Sequence, residues 1–349
     1  LGATFPGAVI LAATAGEPVY CRVFGYRALY PQPEPMTGDT IFDLASLSKP
    51  LGTALVALAL VDREVLSLGD RVASFVPGVP PETGALNVRQ LLTHTGGLPA
   101  VPTLQRYFAD PDLIDRDVAR SHLLRIKPER PPGDEVVYSC TGFQILGEVL
   151  EVAGGARLDE LHQRFVVTPL GLQFTRYVPP PDWLPRIAGT EYCPWRERWV
   201  RGEVHDESAY AMGGIAGNAG LFSTIDEVLA MSELYRRLGT VVRPDGTSYT
   251  LASAELMRQV VHSHTDGMAQ RRGLGVQVNA PDAAGGPDLS PDSYGHTGFT
   301  GTSFWIDPDR DLTVVAMTNR LQYGRDATAE SIKQFRRELH SAMLDVIPA

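Results

Sequence analysis

A serine and a lysine stand three residues apart at the start of an apolar stretch. Residues 41–62 read IFDLASLSKPLGTALVALALVD, with Ser46 and Lys49 ahead of a run of Ala, Val and Leu. Positions i and i+3 share a helix face, so the hydroxyl and the amine can come within hydrogen-bond reach. A serine becomes a nucleophile when a base takes its proton, and burial can turn a lysine into that base. The alternative is that Ser46 is only an N-cap and Lys49 is solvated.

A tyrosine precedes a second predicted helix. Tyr138 lies in VYSCTGFQILGEVL, at a loop tip of the kind that presents catalytic groups. A phenol near Lys49 can shuttle a proton. The alternative is that Tyr138 packs its ring and leaves its hydroxyl at the surface.

The third stretch with chemical potential is a His-Thr-Gly sequence. His296, Thr297 and Gly298 lie in YGHTGFTGTSFWIDP, ahead of a predicted strand. A glycine there lets a ligand lie close to the backbone, and a strand facing a pocket can offer an N–H to an oxyanion. The alternative is a hairpin with a solvated histidine.

Composition bounds the class of protein. The chain has 349 residues, 44% of them hydrophobic, and a net charge of -10, which argues against nucleic acid as a partner. The longest apolar run, 51–61, is too short for a transmembrane segment, and three cysteines do not form a disulfide scaffold. No signal peptide is visible, and the chain begins inside a strand-like segment, so we expect an N-terminal segment to be missing. Localisation stays open between the cytoplasm and export.

The elements that must position these residues follow from periodicity. Residues 7–25 predict a β-hairpin, and strand patterns return in GLGVQVNA, GTSFWIDP and LTVVAMTN, ahead of a last helix over about 327–346. Short helices with Pro/Gly loops fill the middle of the chain. We therefore predict one α+β domain over 1–349, with an antiparallel sheet flanked by helices. Its α/β lobe spans about 1–70 and 206–349, and its inserted helical lobe about 71–205.

Taken together, the three motifs resemble those of serine β-lactamases and low-molecular-mass penicillin-binding proteins. The pattern is similar to the class C branch, which includes DD-peptidases, esterases and D-aminopeptidases. Other segments that match this branch are LLTHTGGLP, FQILGEVLEVAGG, GGIAGNAGLFST and GLGVQV. The resemblance runs from about residue 7 to about 345 and implies a β-lactamase/transpeptidase-like fold. No G-x-S-x-G is present, which removes the α/β-hydrolase nucleophile elbow as a rival.

The resemblance implies a serine hydrolase that forms an acyl-enzyme on Ser46, with neither metal nor organic cofactor. Lys49 and Tyr138 would share the acid and base roles, and which of them is the base stays open. The N–H groups of Ser46 and Phe299 would form the oxyanion hole, with His296 and Thr297 lining the far wall. The substrate would be a small molecule or peptide: an ester, a D-amino-acid peptide or a β-lactam. The family also implies export. The oligomeric state stays unknown.

Two residues depart from the family pattern. Cys140 stands where the family has Asn or Asp, and a thiol is a weak donor and acceptor. His296 stands where the family often has Lys, and a neutral imidazole attracts a carboxylate less than an ammonium does. Cys140 keeps open the alternative of a non-catalytic penicillin-binding or sensor domain of the same fold.

Other histidines offer candidates outside these motifs. His262, His264 and Asp266 have a possible metal spacing, but we interpret them as solvated loop residues and predict no metal site. His205, Asp206 and Glu207 are predicted to cap and order a loop beside the pocket. His94 in THTGG is predicted to be a hydrogen-bonding residue that stabilises its loop.

Overall fold

The structure is a computed structural model that describes residues 4–243 and 245–347. Its strands are β1 (Gly7–Thr14), β2 (Glu17–Ala28), β3 (Glu34–Pro35), β4 (Phe42–Asp43), β5 (Arg176–Tyr177), β6 (Tyr192–Cys193), β7 (Arg198–Trp199), β8 (Leu221–Ser223), β9 (Thr240–Val242), β10 (Ser248–Thr250), β11 (Gln277–Val278), β12 (Tyr294–Thr297), β13 (Ser303–Asp307) and β14 (Leu312–Thr318). Its α-helices are α1 (Leu55–Asp62), α2 (Pro81–Gly84), α3 (Val88–Leu92), α4 (Arg116–Leu123), α5 (Cys140–Gly154), α6 (Leu158–His162), α7 (Thr168–Leu170), α8 (Glu207–Ala211), α9 (Ile225–Arg236), α10 (Ala254–Val261) and α11 (Ala329–Val346).

A seven-stranded antiparallel sheet takes strands from both ends of the chain. Its order is β11-β12-β13-β14-β1-β2-β3, with Val9 opposite Met317 and His296 opposite Phe304. Three smaller sheets accompany it: β4-β8-β5, β9-β10 and β6-β7. The α+β prediction, with an antiparallel sheet flanked by helices, is confirmed. The lobe boundaries near residues 70 and 205 stay a prediction.

The central strand β1 is buried on both faces, which explains its unbroken apolar sequence. Val9, Leu11 and Ala13 join the large core cluster, which also contains the residues of α1. The alternate residues of β1 face a second cluster, formed with Ile332 and Met343 of α11. Because successive side chains of a strand point to opposite faces, this one strand contributes to two separate cores.

The helical segment that carries the serine and the lysine lies within the large core cluster. It begins as a 3₁₀ turn over Ala45–Leu47, continues as a π-helical stretch over Lys49–Ala54 and becomes α1. Pro50 falls in the first turn of the π-helical stretch, where its missing N–H costs little. Among the described residues, Ala45–Asp62 is the one helical segment long and apolar enough to cross a membrane, but 83% of it is buried inside the protein.

Two local predictions turned out differently. The strand predicted over GLGVQVNA shrinks to Gln277–Val278, because the Gly273 N–H donates to the Val276 carbonyl (3.0 Å) in a turn with Gly275 at a φ of 91°. The segment that carries Ser46 and Lys49 is helical, as their spacing indicated, but it opens with a 3₁₀ turn and a π-helical stretch rather than an α-helix. Asn87 caps α3 through a capping box with Gln90.

Candidate active site

A buried carboxylate orders the backbone directly before Ser46. Asp43 accepts the N–H groups of Ala45 (2.8 Å) and His205 (2.7 Å). Burial raises the pKa of Asp43, although both hydrogen bonds favour its charged form. Ala45 has a φ of 46°, an unfavourable conformation for a residue with a Cβ, directly before the serine. This bend brings Ser46 to the start of the helical segment, where its side chain is half-buried.

Lys49 is fully buried and points at the serine. Its Nζ donates to Ser46 Oγ (3.0 Å), to the Asn218 carbonyl (3.0 Å) and to Cys140 Sγ (3.4 Å). Within the described chain it forms no ion pair with a carboxylate. Burial lowers the pKa of Lys49, but the negative charge that Cys140 and Tyr138 carry when ionised raises it more, and the net direction is upward. The protonation of Lys49 is therefore set by the balance between its burial and these neighbouring side chains.

Tyr138 stands over the lysine within an aromatic and cationic cage. Lys49 Nζ lies 4.9 Å from the centroid of the phenol ring. The guanidinium carbon of Arg272 lies 5.3 Å from the same centroid. The rings of His94 and His296 lie 4.5 Å and 5.8 Å away, centroid to centroid. The structure thus brings together the serine, the lysine and the tyrosine predicted from sequence.

His94 orders the loop that carries the tyrosine. Its Nδ1 accepts the N–H of Ser139 (3.0 Å), and Ser139 Oγ caps α5 at the N–H of Gly142 (3.0 Å). The Cys140 N–H is held in turn by the Ala100 carbonyl (2.7 Å). Burial and nearby cations hold the pKa of His94 well below its ordinary value, so it is neutral. The predicted role of His94 as a stabilising hydrogen-bonding residue is confirmed.

The His-Thr-Gly segment forms the opposite wall. His296 is buried at β12, and its Nδ1 meets the Thr297 carbonyl at 2.9 Å, as a donor. Burial lowers the pKa of His296 well below its ordinary value, and the charges of Arg272 and Lys49 lower it further. His296 is therefore neutral at pH 7 and supplies no cation at the position where the family often has lysine.

The turn after β12 is tied to the backbone just before the serine. Thr302 Oγ1 donates to the Leu44 carbonyl (3.0 Å), and Thr300 Oγ1 donates to the Asp43 carbonyl (2.8 Å). Gly298 fits only as glycine, since a Cβ there would lie 2.0 Å from Thr302 Oγ1 and 2.5 Å from the Leu44 carbonyl oxygen.

Two main-chain N–H groups near these hydrogen bonds have no acceptor in the described part of the chain. The N–H groups of Ser46 and Phe299 find no hydrogen-bond partner among residues 4–243 and 245–347. The Phe299 ring is 46% exposed and stacks near His205, at 5.7 Å between centroids. Both amides are thus available for a negatively charged oxygen, as an oxyanion hole requires.

Three residues of the site were missed from the sequence. Asn218, within the quoted GGIAGNAGLFST, binds Lys49 through its carbonyl and accepts Gln144 Nε2 at its Oδ1 (2.9 Å). Arg272 is buried without an acidic partner in the described part of the chain, and burial lowers its pKa to about 10. Arg336 on α11 reaches the turn at Gly298 (2.9 Å). The motif around Asn218 pointed to it, whereas nothing local marked the arginines.

The remaining histidine candidates lie outside this constellation. His264 is engaged by the Gln259 carbonyl (2.7 Å) and by Arg89 (3.3 Å). The described residues contain no group of three His, Cys, Asp or Glu side chains placed to hold a metal ion. Asp206 caps α8 by accepting the Ala209 N–H (2.7 Å), and His205 pairs with Glu191 (2.5 Å), as expected for a loop-ordering cluster.

A serine, a lysine and a tyrosine beside a His-Thr-Gly segment at β12 of an antiparallel sheet form the arrangement typical of the penicillin-recognising class. The family model described as Beta-lactamase matches residues 2–336. The chain therefore belongs to the beta-lactamase family.

Relatives and solved structures extend this comparison. The chain is 30% identical to a protein of Escherichia coli (strain K12) named "Putative D-alanyl-D-alanine carboxypeptidase", over 90% of this chain and 79% of the relative. It is 29% identical to an N-acetylmuramyl-L-alanine amidase of Bacillus subtilis (strain 168), over 92% and 78%. The fold is similar to that of an octameric penicillin-binding protein homologue from Pyrococcus abyssi, with a TM-score of 0.72, 21% identity and coverage of 97% and 74%. It is also similar to EstCE1, a hydrolase, with a TM-score of 0.69, 23% identity and coverage of 93% of each chain.

Proposed function

We propose that this protein is a serine hydrolase that works through an acyl-enzyme on Ser46. The observation that carries the proposal is the contact between Lys49 Nζ and Ser46 Oγ, 3.0 Å long. Ser46 Oγ attacks the substrate carbonyl, and its proton passes to the Lys49–Tyr138 pair. The amides of Ser46 and Phe299 stabilise the oxyanion. The proton then goes to the leaving group, and water hydrolyses the ester on Ser46 by the same steps.

The base is best described as a pair. The phenol oxygen of Tyr138, whose ring centroid lies 4.9 Å from Lys49 Nζ, is one acceptor for the serine proton. Lys49 is the other acceptor, because its Nζ lies 3.0 Å from Ser46 Oγ and burial opposes its charged form. Either group can activate Ser46, so the two act as one acid–base pair.

For the substrate we propose an amide bond next to D-alanine in a peptide. The names of the two relatives contain D-alanyl-D-alanine and N-acetylmuramyl-L-alanine, both of which contain amide bonds. An ester is the second candidate, because Cys140 Sγ at 3.4 Å from Lys49 is a poor partner for a substrate amide and His296 is neutral. Esters need less activation of the leaving group than amides do.

The test is covalent labelling followed by turnover. A fluorophosphonate should add one phosphonyl group to the peptide that contains Ser46, seen by mass spectrometry. The wild type should release D-alanine from an N-acylated D-alanyl-D-alanine peptide or p-nitrophenol from p-nitrophenyl acetate. Ser46→Ala should abolish labelling and turnover, whereas the exposed Ser121→Ala should change neither.

Three other results contradict the proposal in different ways. Labelling of another residue with Ser46 untouched rejects the mechanism. A lasting penicillin adduct on Ser46 without turnover of any probe favours the non-catalytic sensor. Release of p-nitrophenol without release of D-alanine rejects the peptide and favours the ester.

A further inference from the structure

Two buried arginines bind the carbonyl groups of the turn that follows β12. Arg336 of α11 donates through Nη2 to the carbonyls of Gly298 (2.9 Å) and Thr302 (3.0 Å). Arg320 donates through Nε to the Phe299 carbonyl (2.9 Å). The same turn is hydrogen-bonded to the backbone before Ser46, through Thr302 to the Leu44 carbonyl and through Thr300 to the Asp43 carbonyl.

The guanidinium of Arg336 forms its hydrogen bonds within the described residues with main-chain carbonyls. Only 6% of its surface is exposed, and it forms no ion pair within the described residues. Burial, helped by the nearby Arg320, lowers its pKa to about 9, so it stays cationic at pH 7. A buried cation without a carboxylate is costly unless hydrogen bonds compensate it. Its compensation here is the pair of carbonyls at the turn.

One of those carbonyls belongs to the peptide unit that would stabilise the oxyanion. The Gly298 C=O and the Phe299 N–H are the two ends of one planar peptide, and they point in opposite directions. A donor on the carbonyl from the α11 side therefore leaves the N–H directed away from α11. Hydrogen bonding at the carbonyl also polarises the amide and makes its N–H a stronger donor.

We propose that Arg336 is a positioning residue of the oxyanion hole, which orients and polarises the Gly298–Phe299 peptide without touching the substrate. This rests on the proposed function, because it assigns the Phe299 N–H to the oxyanion. Arg320 supports the next peptide of the same turn through the Phe299 carbonyl. The catalytic effect of the turn thus depends on a helix at the far end of the chain.

The test compares two neighbouring arginines of α11. Arg336→Met removes the contact with the turn, and Arg337→Met is the matched control, because Arg337 also donates to a main-chain carbonyl, that of Asp282 (2.5 Å), away from the site. Removal of a whole oxyanion donor lowers kcat about 10²–10³-fold, so loss of its support should lower kcat on the order of tenfold. KM should change little, since acylation and deacylation both pass through the same oxyanion site. Arg337→Met should keep wild-type kcat.

A second readout separates positioning from simple loss of fold. The boron of phenylboronic acid forms a bond with Ser46 Oγ, whose proton passes to the Lys49–Tyr138 pair, and the boron becomes a tetrahedral anion that resembles the transition state. Its affinity should fall in Arg336→Met by the same factor as kcat/KM, with thermal melting matched to that of Arg337→Met. Arg336→Lys keeps the positive charge but loses the planar guanidinium group. Its kcat and its boronate affinity should therefore lie between those of wild type and Arg336→Met.

The outcomes divide cleanly. Equal kcat and boronate affinity in wild type and Arg336→Met, or equal losses in both arginine variants, overturn this inference. If Arg336→Met does not fold, Arg336→Lys decides, and wild-type kcat in that variant overturns the inference. Failure of wild-type Ser46 to label or turn over would instead reject the proposed function.

Discussion

At the scale of single residues, the buried Lys49 has two separable properties, its charge and its ability to accept a proton. Arginine keeps the charge but stays protonated at any working pH. We therefore expect Lys49→Arg to lower kcat by about 10²–10⁴-fold, the usual contribution of a general base. The measurement is steady-state hydrolysis of p-nitrophenyl acetate.

Lys127→Arg is the matched control, because Lys127 is exposed and pairs with Glu82 at 3.1 Å on the surface. It should behave as wild type. Near wild-type turnover by a folded Lys49→Arg protein would mean that the positive charge alone suffices and that Tyr138 is the base.

Cys140 is expected to set substrate choice rather than to act as a nucleophile. Cys140→Asn should preserve ester hydrolysis, because Ser46 and Lys49 are untouched. It should raise activity on amide or β-lactam substrates by about 1–3 kcal/mol of transition-state binding, the scale of one satisfied polar contact. The measurement is kcat/KM for each substrate class.

The contrary reading of Cys140 makes a different prediction. If its thiol is the nucleophile, Cys140→Ser and alkylation should abolish all turnover, while Ser46→Ala leaves some. Cys21→Ser is the control for alkylation, since Cys21 is also free and is exposed. Activity that survives loss of Ser46 but not of Cys140 would overturn the mechanism.

At the scale of elements, the start of α5 depends on His94. His94→Phe keeps a ring against Tyr138 and Phe143 but removes the acceptor of the Ser139 N–H. A buried N–H without a partner costs about 1–3 kcal/mol, so the free energy of unfolding should fall by that amount. Turnover should fall as well, because the loop that carries Tyr138 loses its anchor. Urea denaturation and ester hydrolysis measure the two effects.

His122→Phe is the control for this element, because His122 stacks on Tyr107 at 3.5 Å between centroids, near the surface. It should change neither stability nor turnover appreciably. Unchanged stability of His94→Phe would mean that Ser139 finds another acceptor and that the anchor is dispensable.

At the scale of the whole molecule, buried neutral histidines tie stability to pH. Burial lowers the pKa of His162 and of His340 to about 4, from an ordinary 6.5. The unfolded chain therefore binds more protons between these values, so stability is full above pH 6.5 and is lost as pH falls towards 4. Each residue should contribute about 3 kcal/mol to that loss. Urea denaturation at a series of pH values measures it.

His162→Gln tests this linkage directly. Glutamine can still donate to the Leu51 carbonyl that His162 reaches at 3.1 Å, but it does not titrate. Between pH 4 and 6.5, the slope of the unfolding free energy against pH should become less steep, by an amount that corresponds to at most one bound proton. An unchanged slope would mean that other groups control acid stability.

Much of the fold, and the serine, lysine and tyrosine of the candidate site, could be predicted from the sequence because their signals are local. The Ser46–Lys49 spacing, the hairpin over residues 7–25 and the strand pattern in LTVVAMTN each depend on neighbours a few residues away. The strand over GLGVQVNA was predicted too long, because Gly275 with its positive φ can enter a turn that residue composition does not reveal.

The amino-acid sequence by itself determined the family, the α+β class and the identity of the serine, lysine and tyrosine. Only the tertiary structure brought Lys49 to Cys140, 91 residues away, and to the Asn218 carbonyl, 169 residues away. It also placed Arg336 behind the turn at Gly298. The physical reason is that the periodic burial of a helix or strand shows in the types of neighbouring residues. The compensation of a buried charge depends instead on carbonyl groups from distant segments, which leave no local pattern in the sequence.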